Sequence, residues 1–99
     1  MAHRNRSIDI AAAAEKGIVV TGTTYSSNGT LEHIWALILA AARHIVIEDA
    51  NIKSRKPQWQ SVVPTHLGGK TMGILGLGRL GTQVANVCQN LKVNLIGQL

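Results

Sequence analysis

Gly76-Leu77-Gly78-Arg79-Leu80-Gly81 follows an apolar run and opens an amphipathic one, and nothing else in these 99 residues restricts the fold as tightly. Glycines at this spacing suit a chain that leaves a strand, turns sharply and enters a helix at once. Gly76 makes the turn, Gly78 lets a ligand approach bare backbone, and Gly81 lets the helix lie close on the strand. The flanks agree with that reading. Thr71-Met72-Gly73-Ile74-Leu75 reads as a strand, Arg79 or Leu80 to Leu91 as a helix, and Val93-Asn94-Leu95-Ile96-Gly97 as a second strand. On the helix, Val84, Val87, Cys88 and Leu91 form one apolar stripe at i, i+3, i+4, i+7, with Thr82, Gln83, Asn86, Gln89 and Asn90 on the other face. Strand, helix and strand in under 30 residues make a βαβ unit, expected to be parallel and right-handed.

Backbone N–H groups around Arg79 and Leu80, with the positive helix end, would then point toward a diphosphate. The candidate cofactor-binding residues are Gly76, Gly78, Arg79, Leu80 and Gly81, and the ligand class is a dinucleotide. A tight turn without a ligand is the plainer alternative. Arg79 either steers the pyrophosphate or is simply solvated, since the sequence gives it no partner. Leu99 stands 18 residues past Gly81, where an Asp or Glu would accept hydrogen bonds from ribose hydroxyls. A leucine has no acceptor, which leaves NAD against NADP open. Gly69-Lys70-Thr71 has the ending of a nucleoside-triphosphate P-loop, but Pro64 stands where its first glycine belongs and a strand follows instead of a helix.

Upstream, Ile10 to Lys16 reads as a short helix capped by Ser7 or Asp9 and ended by Gly17. Ile18-Val19-Val20-Thr21 is a β-branched run expected to be a buried strand. After a polar loop from Thr21 to Thr30, the longest helix is expected from about Thr30 to Ser54, with Gly29 as N-cap and Glu32 at the third helical position. Leu31 through Ala42 is apolar on nearly every face apart from Glu32 and His33, so burial on several sides is expected, as in a connector between domains. Lys56-Pro57 ends the helix, because a residue before proline avoids the α region. Gln58 to Gly69 is loop, and the composition shift at Gly68-Gly69 marks a domain boundary.

Other chemistries find little support. One cysteine excludes an intrachain disulfide, and its place on the apolar stripe makes Cys88 a small buried hydrophobe. The four histidines, His3, His33, His44 and His66, have no metal-site spacing or nucleophile; His33 and His44 are expected to be packed structural groups. The net charge of +5 raises nucleic acid as a partner, but Lys53, Arg55 and Lys56 are the one local basic cluster and read as a solvated helix end. The longest apolar run, Ile34 to Ala42, is nine residues, against the roughly 20 that span a bilayer. No membrane segment, nucleic-acid site, metal site or catalytic set is therefore expected, and the composition is of a cytoplasmic type.

Three separated blocks carry a family resemblance. Ser7-Ile-Asp-Ile-Ala-Ala-Ala-Ala-Glu-Lys-Gly-Ile-Val-Val20, Thr30-Leu-Glu-His-Ile-Trp-Ala-Leu-Ile-Leu-Ala-Ala-Ala-Arg43 and Leu67-Gly-Gly-Lys-Thr-Met-Gly-Ile-Leu-Gly-Leu-Gly-Arg-Leu-Gly81 resemble, in order and spacing, the D-isomer-specific 2-hydroxyacid dehydrogenases. Asn5 is similar to an asparagine of that family's substrate-domain loop, although the glycines that should precede it are absent. The resemblance implies an α/β fold with two Rossmann-like domains joined by a crossing helix. Residues 1–25 would be a remnant of the substrate domain, 26–69 the crossing helix and loop, and 70–99 the first, incomplete βαβ unit of the NAD-binding domain. It implies NAD as cofactor, a 2-hydroxy or 2-oxo acid as substrate, reversible hydride transfer, and a homodimer through the crossing helix. The family's catalytic arginine, acidic residue and histidine find no matching positions here. The expectation is thus a piece of an oxidoreductase, inactive and poorly stable alone. A non-catalytic NAD-binding or subunit-interaction module is the alternative.

Overall fold

The computed structural model describes residues 7–98. Four helices and two strands run in the order α1 (Ile10–Glu15), α2 (Ser27–Ala42), α3 (Ile45–Lys53), β1 (Thr71–Leu75), α4 (Arg79–Asn90) and β2 (Asn94–Gln98). The strands pair in parallel, with Thr71 opposite Asn94 and Leu75 opposite Gln98. The expected βαβ unit therefore forms, within a residue or two of its expected ends. Asp9 caps α1 by accepting from the Ala12 N–H at 3.0 Å, and Gly17 leaves the helix at φ +69°.

The core lies where α4 packs on the sheet and α2 packs on α4. Trp35, Val84, Cys88 and Val93 are buried, with Leu31, Ile34, Ile38, Leu67, Met72, Ile74, Val87 and Leu95 packed around them. On β1 the inward Met72 and Ile74 alternate with exposed Thr71, Gly73 and Leu75, because successive strand side chains point to opposite faces. Cys88 is fully enclosed, its thiol 3.5 Å from the Met72 sulfur. Burial raises its pKa above the ordinary thiol value, as befits a packing group.

Three expectations change. Ile18 to Thr21 is not a strand: Ile18 donates back to Ala13 at 2.9 Å, and Val19 is 84% exposed. A β-branched run supplies propensity, but a strand also needs a paired row of backbone groups, and none of the described residues provides one.

The long helix is two. His44 takes a left-handed conformation (φ 55°, ψ 32°) after α2, and α3 departs at 65°. No Gly or Pro announces the break, and histidine is among the residues that enter this region most readily. The start also moves, since Ser26 rather than Gly29 is the N-cap and accepts from the Asn28 N–H at 3.4 Å. Glu32 thus leaves the first turn.

Finally, α2 is apolar without being enclosed. Trp35 is its one buried residue, His33 is exposed, and Leu37 is 58% exposed. The radius of gyration, 20.7 Å, is well above the ~13 Å of a compact chain this long. No single described helix is long and apolar enough to cross a membrane.

A polar knot fixes the chain after α3. Glu48 Oε1 accepts from the Ser61 and Val62 N–H groups at 2.8 and 2.9 Å and from the Ser61 hydroxyl at 3.1 Å. Asn51, 5% exposed, donates to Ser61 Oγ at 2.9 Å and Glu48 Oε2 at 3.3 Å. Desolvation pushes the Glu48 pKa up, but these hydrogen bonds to the charged form outweigh it, and the net shift is downward from 4.5. The unfolded chain therefore binds this proton more readily than the folded one. The stabilisation is full above the unfolded value and is lost as pH falls through the lower folded value. Amide exchange at Ser61 and Val62 should accelerate as pH falls through that window, after correction for intrinsic exchange, and Glu48→Gln should remove the pH dependence.

Candidate functional site

β1 ends at Leu75 and the three glycines follow, each in a different physical situation. Gly76 sits at φ +92°, where a side chain is strained, and its N–H donates to the Gln98 carbonyl of β2 at 2.8 Å. Gly81, in the first turn of α4, faces the Gly76 carbonyl so closely that a Cβ would collide with that oxygen. These two are glycine because the fold requires it. Gly78 is different: its φ of −74° and ψ of −165° are extended backbone, and a Cβ there would meet nothing within 4 Å. The protein's own packing does not explain the bare backbone at that position.

Gly78 is also the N-cap of α4. It supplies no side-chain cap, and the first turn of α4 carries no acidic residue. The N–H groups at the start of a helix lack intrahelical partners, and they concentrate the positive end of the helix dipole. Arg79 and Leu80 follow directly, so all five candidate residues sit on one strand-to-helix corner. Arg79 is exposed, and its guanidinium carbon lies 5.6 Å from the centre of the Tyr25 ring.

Two supports of this corner escaped the motif. Leu77 lies over Gly97 of β2, where a Cβ would come within 2.6 Å of Leu77 Cδ1. An isolated glycine in a strand is a signal of close approach, and Gly97 carried it. The other support is the loop entering α2. Ser27 Oγ accepts from Gln83 Nε2 of α4 at 3.4 Å, while the Gln83 amide oxygen is buried without a partner among the described residues. Nothing local in the sequence ties Tyr25 and Ser27 to a helix more than fifty residues away.

Among the described residues, no group of three or more His, Cys, Asp or Glu could hold a metal ion. His3, Asn5 and Leu99 lie outside the described residues.

Residues 35–98 match the sequence profile of the D-isomer specific 2-hydroxyacid dehydrogenase NAD binding domain. This chain belongs to the D-isomer-specific 2-hydroxyacid dehydrogenase family. A D-3-phosphoglycerate dehydrogenase from Archaeoglobus fulgidus is 44% identical over 94 residues, covering 91% of this chain and 17% of the relative. The fold is also similar to a phosphoglycerate oxidoreductase from Vibrio cholerae (TM-score 0.78, 27% identity, 92% of this chain and 30% of that one). A D-lactate dehydrogenase from Aquifex aeolicus, solved with NAD and lactic acid, matches with TM-score 0.69 and 27% identity over 91% of this chain and 28% of that one. The chain thus spans less than a third of the length of these relatives.

Within the 2-hydroxyacid dehydrogenase family, the matched segment holds the whole Gly76–Gly81 corner and both strands. Gly76 and Gly81 are held as glycine by the fold itself. Gly81→Ala should cost about 1–3 kcal/mol through forced overpacking, and Gly76→Ala about 1–2 kcal/mol through backbone strain. Urea denaturation of the two variants measures both.

Proposed function

We propose that this chain binds NAD through the Gly76–Gly81 corner, as the cofactor-holding part of an oxidoreductase that moves hydride between NAD(H) and a 2-hydroxy or 2-oxo acid. Gly78 is the observation that carries the reading. The fold leaves open space where its side chain would be, and a pyrophosphate approaching the uncapped α4 N-terminus would use that space. Gly76 and Gly81 hold the corner in shape, the N–H groups about Arg79 and Leu80 donate, and Arg79 adds positive charge. When bound, the nicotinamide of NAD supplies the hydride chemistry.

In this reading residues 70–99 open the NAD-binding domain, 26–69 connect, and 1–25 belong to the substrate domain. This reading gives no residue of the chain an acid–base role. The 99 residues bind cofactor without turning over hydroxy acid. The second reading, an NAD-binding or subunit-interaction module, draws support from the exposed apolar residues Leu37, Val46 and Ile47 on α2 and α3. A second copy of the chain meeting that face would give the homodimer that the family resemblance implies.

Calorimetry with NAD tests the proposal. The parent chain should bind, and Gly78→Ala should keep the parent's urea midpoint while losing about tenfold in affinity, a change of about 1.4 kcal/mol. Equal affinity in parent and variant would remove Gly78 from the site. Sedimentation at rising concentration tests the second copy, and a monomer throughout counts against it.

A further inference from the structure

The loop ahead of α2 brings an aromatic ring to the phosphate-binding corner. The Arg79 guanidinium carbon stands 5.6 Å from the Tyr25 ring centre, within the reach at which a ring face attracts a cation. Two contacts fix the ring's surroundings. The Tyr25 hydroxyl hydrogen-bonds Thr30 Oγ1 at 2.8 Å on the first turn of α2, and Ser27, two residues along, accepts from Gln83 of α4 at 3.4 Å.

Among the described residues the one salt bridge joins Lys53 and Asp49, so no carboxylate holds Arg79. A cation–π contact at this distance is an electrostatic attraction to the ring face and uses none of the guanidinium N–H donors. The ring can therefore restrict the side chain without consuming the donors that a phosphate needs. A long, solvated arginine otherwise loses rotamer freedom on meeting a ligand.

We propose that Tyr25 is a positioning residue for dinucleotide binding: its ring holds the Arg79 guanidinium beside the Gly76–Gly81 corner, ready to donate to the diphosphate. The inference rests on the NAD reading of that corner. It ties the loop ahead of α2 to the cofactor's phosphates specifically, leaving the adenosine portion unaffected.

The test is titration of the 99-residue chain, by calorimetry or NMR, with NAD, ADP and adenosine. Tyr25→Leu should weaken NAD and ADP about two- to fivefold and leave adenosine unchanged. Tyr25→Phe, which keeps the ring and loses only the hydroxyl, should bind all three as the parent does, and circular dichroism confirms that both variants fold. With Arg79→Met in place, Tyr25→Leu should cost nothing further, since its effect passes through the arginine. Parent-like NAD affinity in Tyr25→Leu, an equal loss for adenosine, or the same loss in the Arg79→Met background would each overturn the proposal while leaving the NAD site standing. A parent chain that binds neither NAD nor ADP overturns the cofactor reading, and this inference with it.

Discussion

The contact on which the β1–α4–β2 unit depends is the approach of Gly81 to the Gly76 carbonyl. It brings the first turn of α4 against the end of β1 with no side chain between them. From that contact follow the direction of α4, the burial of Val84 and Cys88 on its inner face, and the placement of β2 beside β1. A helix held farther out would leave a gap over Met72 and Ile74, and close packing tolerates few such voids.

The same corner holds glycines of two kinds, two that the fold requires and one that it does not. Gly76 and Gly81 answer to backbone conformation and to a steric limit. Gly78 answers to neither, since its backbone is extended and a Cβ there would meet nothing within 4 Å. The segment that matches the NAD binding domain of the 2-hydroxyacid dehydrogenases contains all three glycines.

Much of this was legible in the residues because the signals were local. The β1–α4–β2 unit carries its glycine turn, its apolar stripe and its short apolar strand segments within one stretch, and each points to the same structure. The failures came where long-range partners or unmarked conformations decide. Ile18–Thr21 has strand propensity and no pairing neighbour among the described residues. His44 turns the chain by adopting a left-handed conformation that no glycine announces. The hydrophobicity of α2 promised enclosure, but hydrophobic pattern specifies what a face prefers to meet and not whether it meets it. The strand-to-helix corner that holds Gly76, Gly78, Arg79, Leu80 and Gly81 was legible from its glycine spacing. The supporting roles of Leu77, Gly97, Tyr25 and Ser27 required three-dimensional proximity.

One bond links the corner to the far strand, the Gly76 N–H to the Gln98 carbonyl at the end of β2. The turn and the last strand residue are therefore one cooperative unit. Whatever favours the closed corner also favours the zipped sheet, by mass action on the folded form. A ligand bound at this corner would act as a clasp for the end of β2 without touching it.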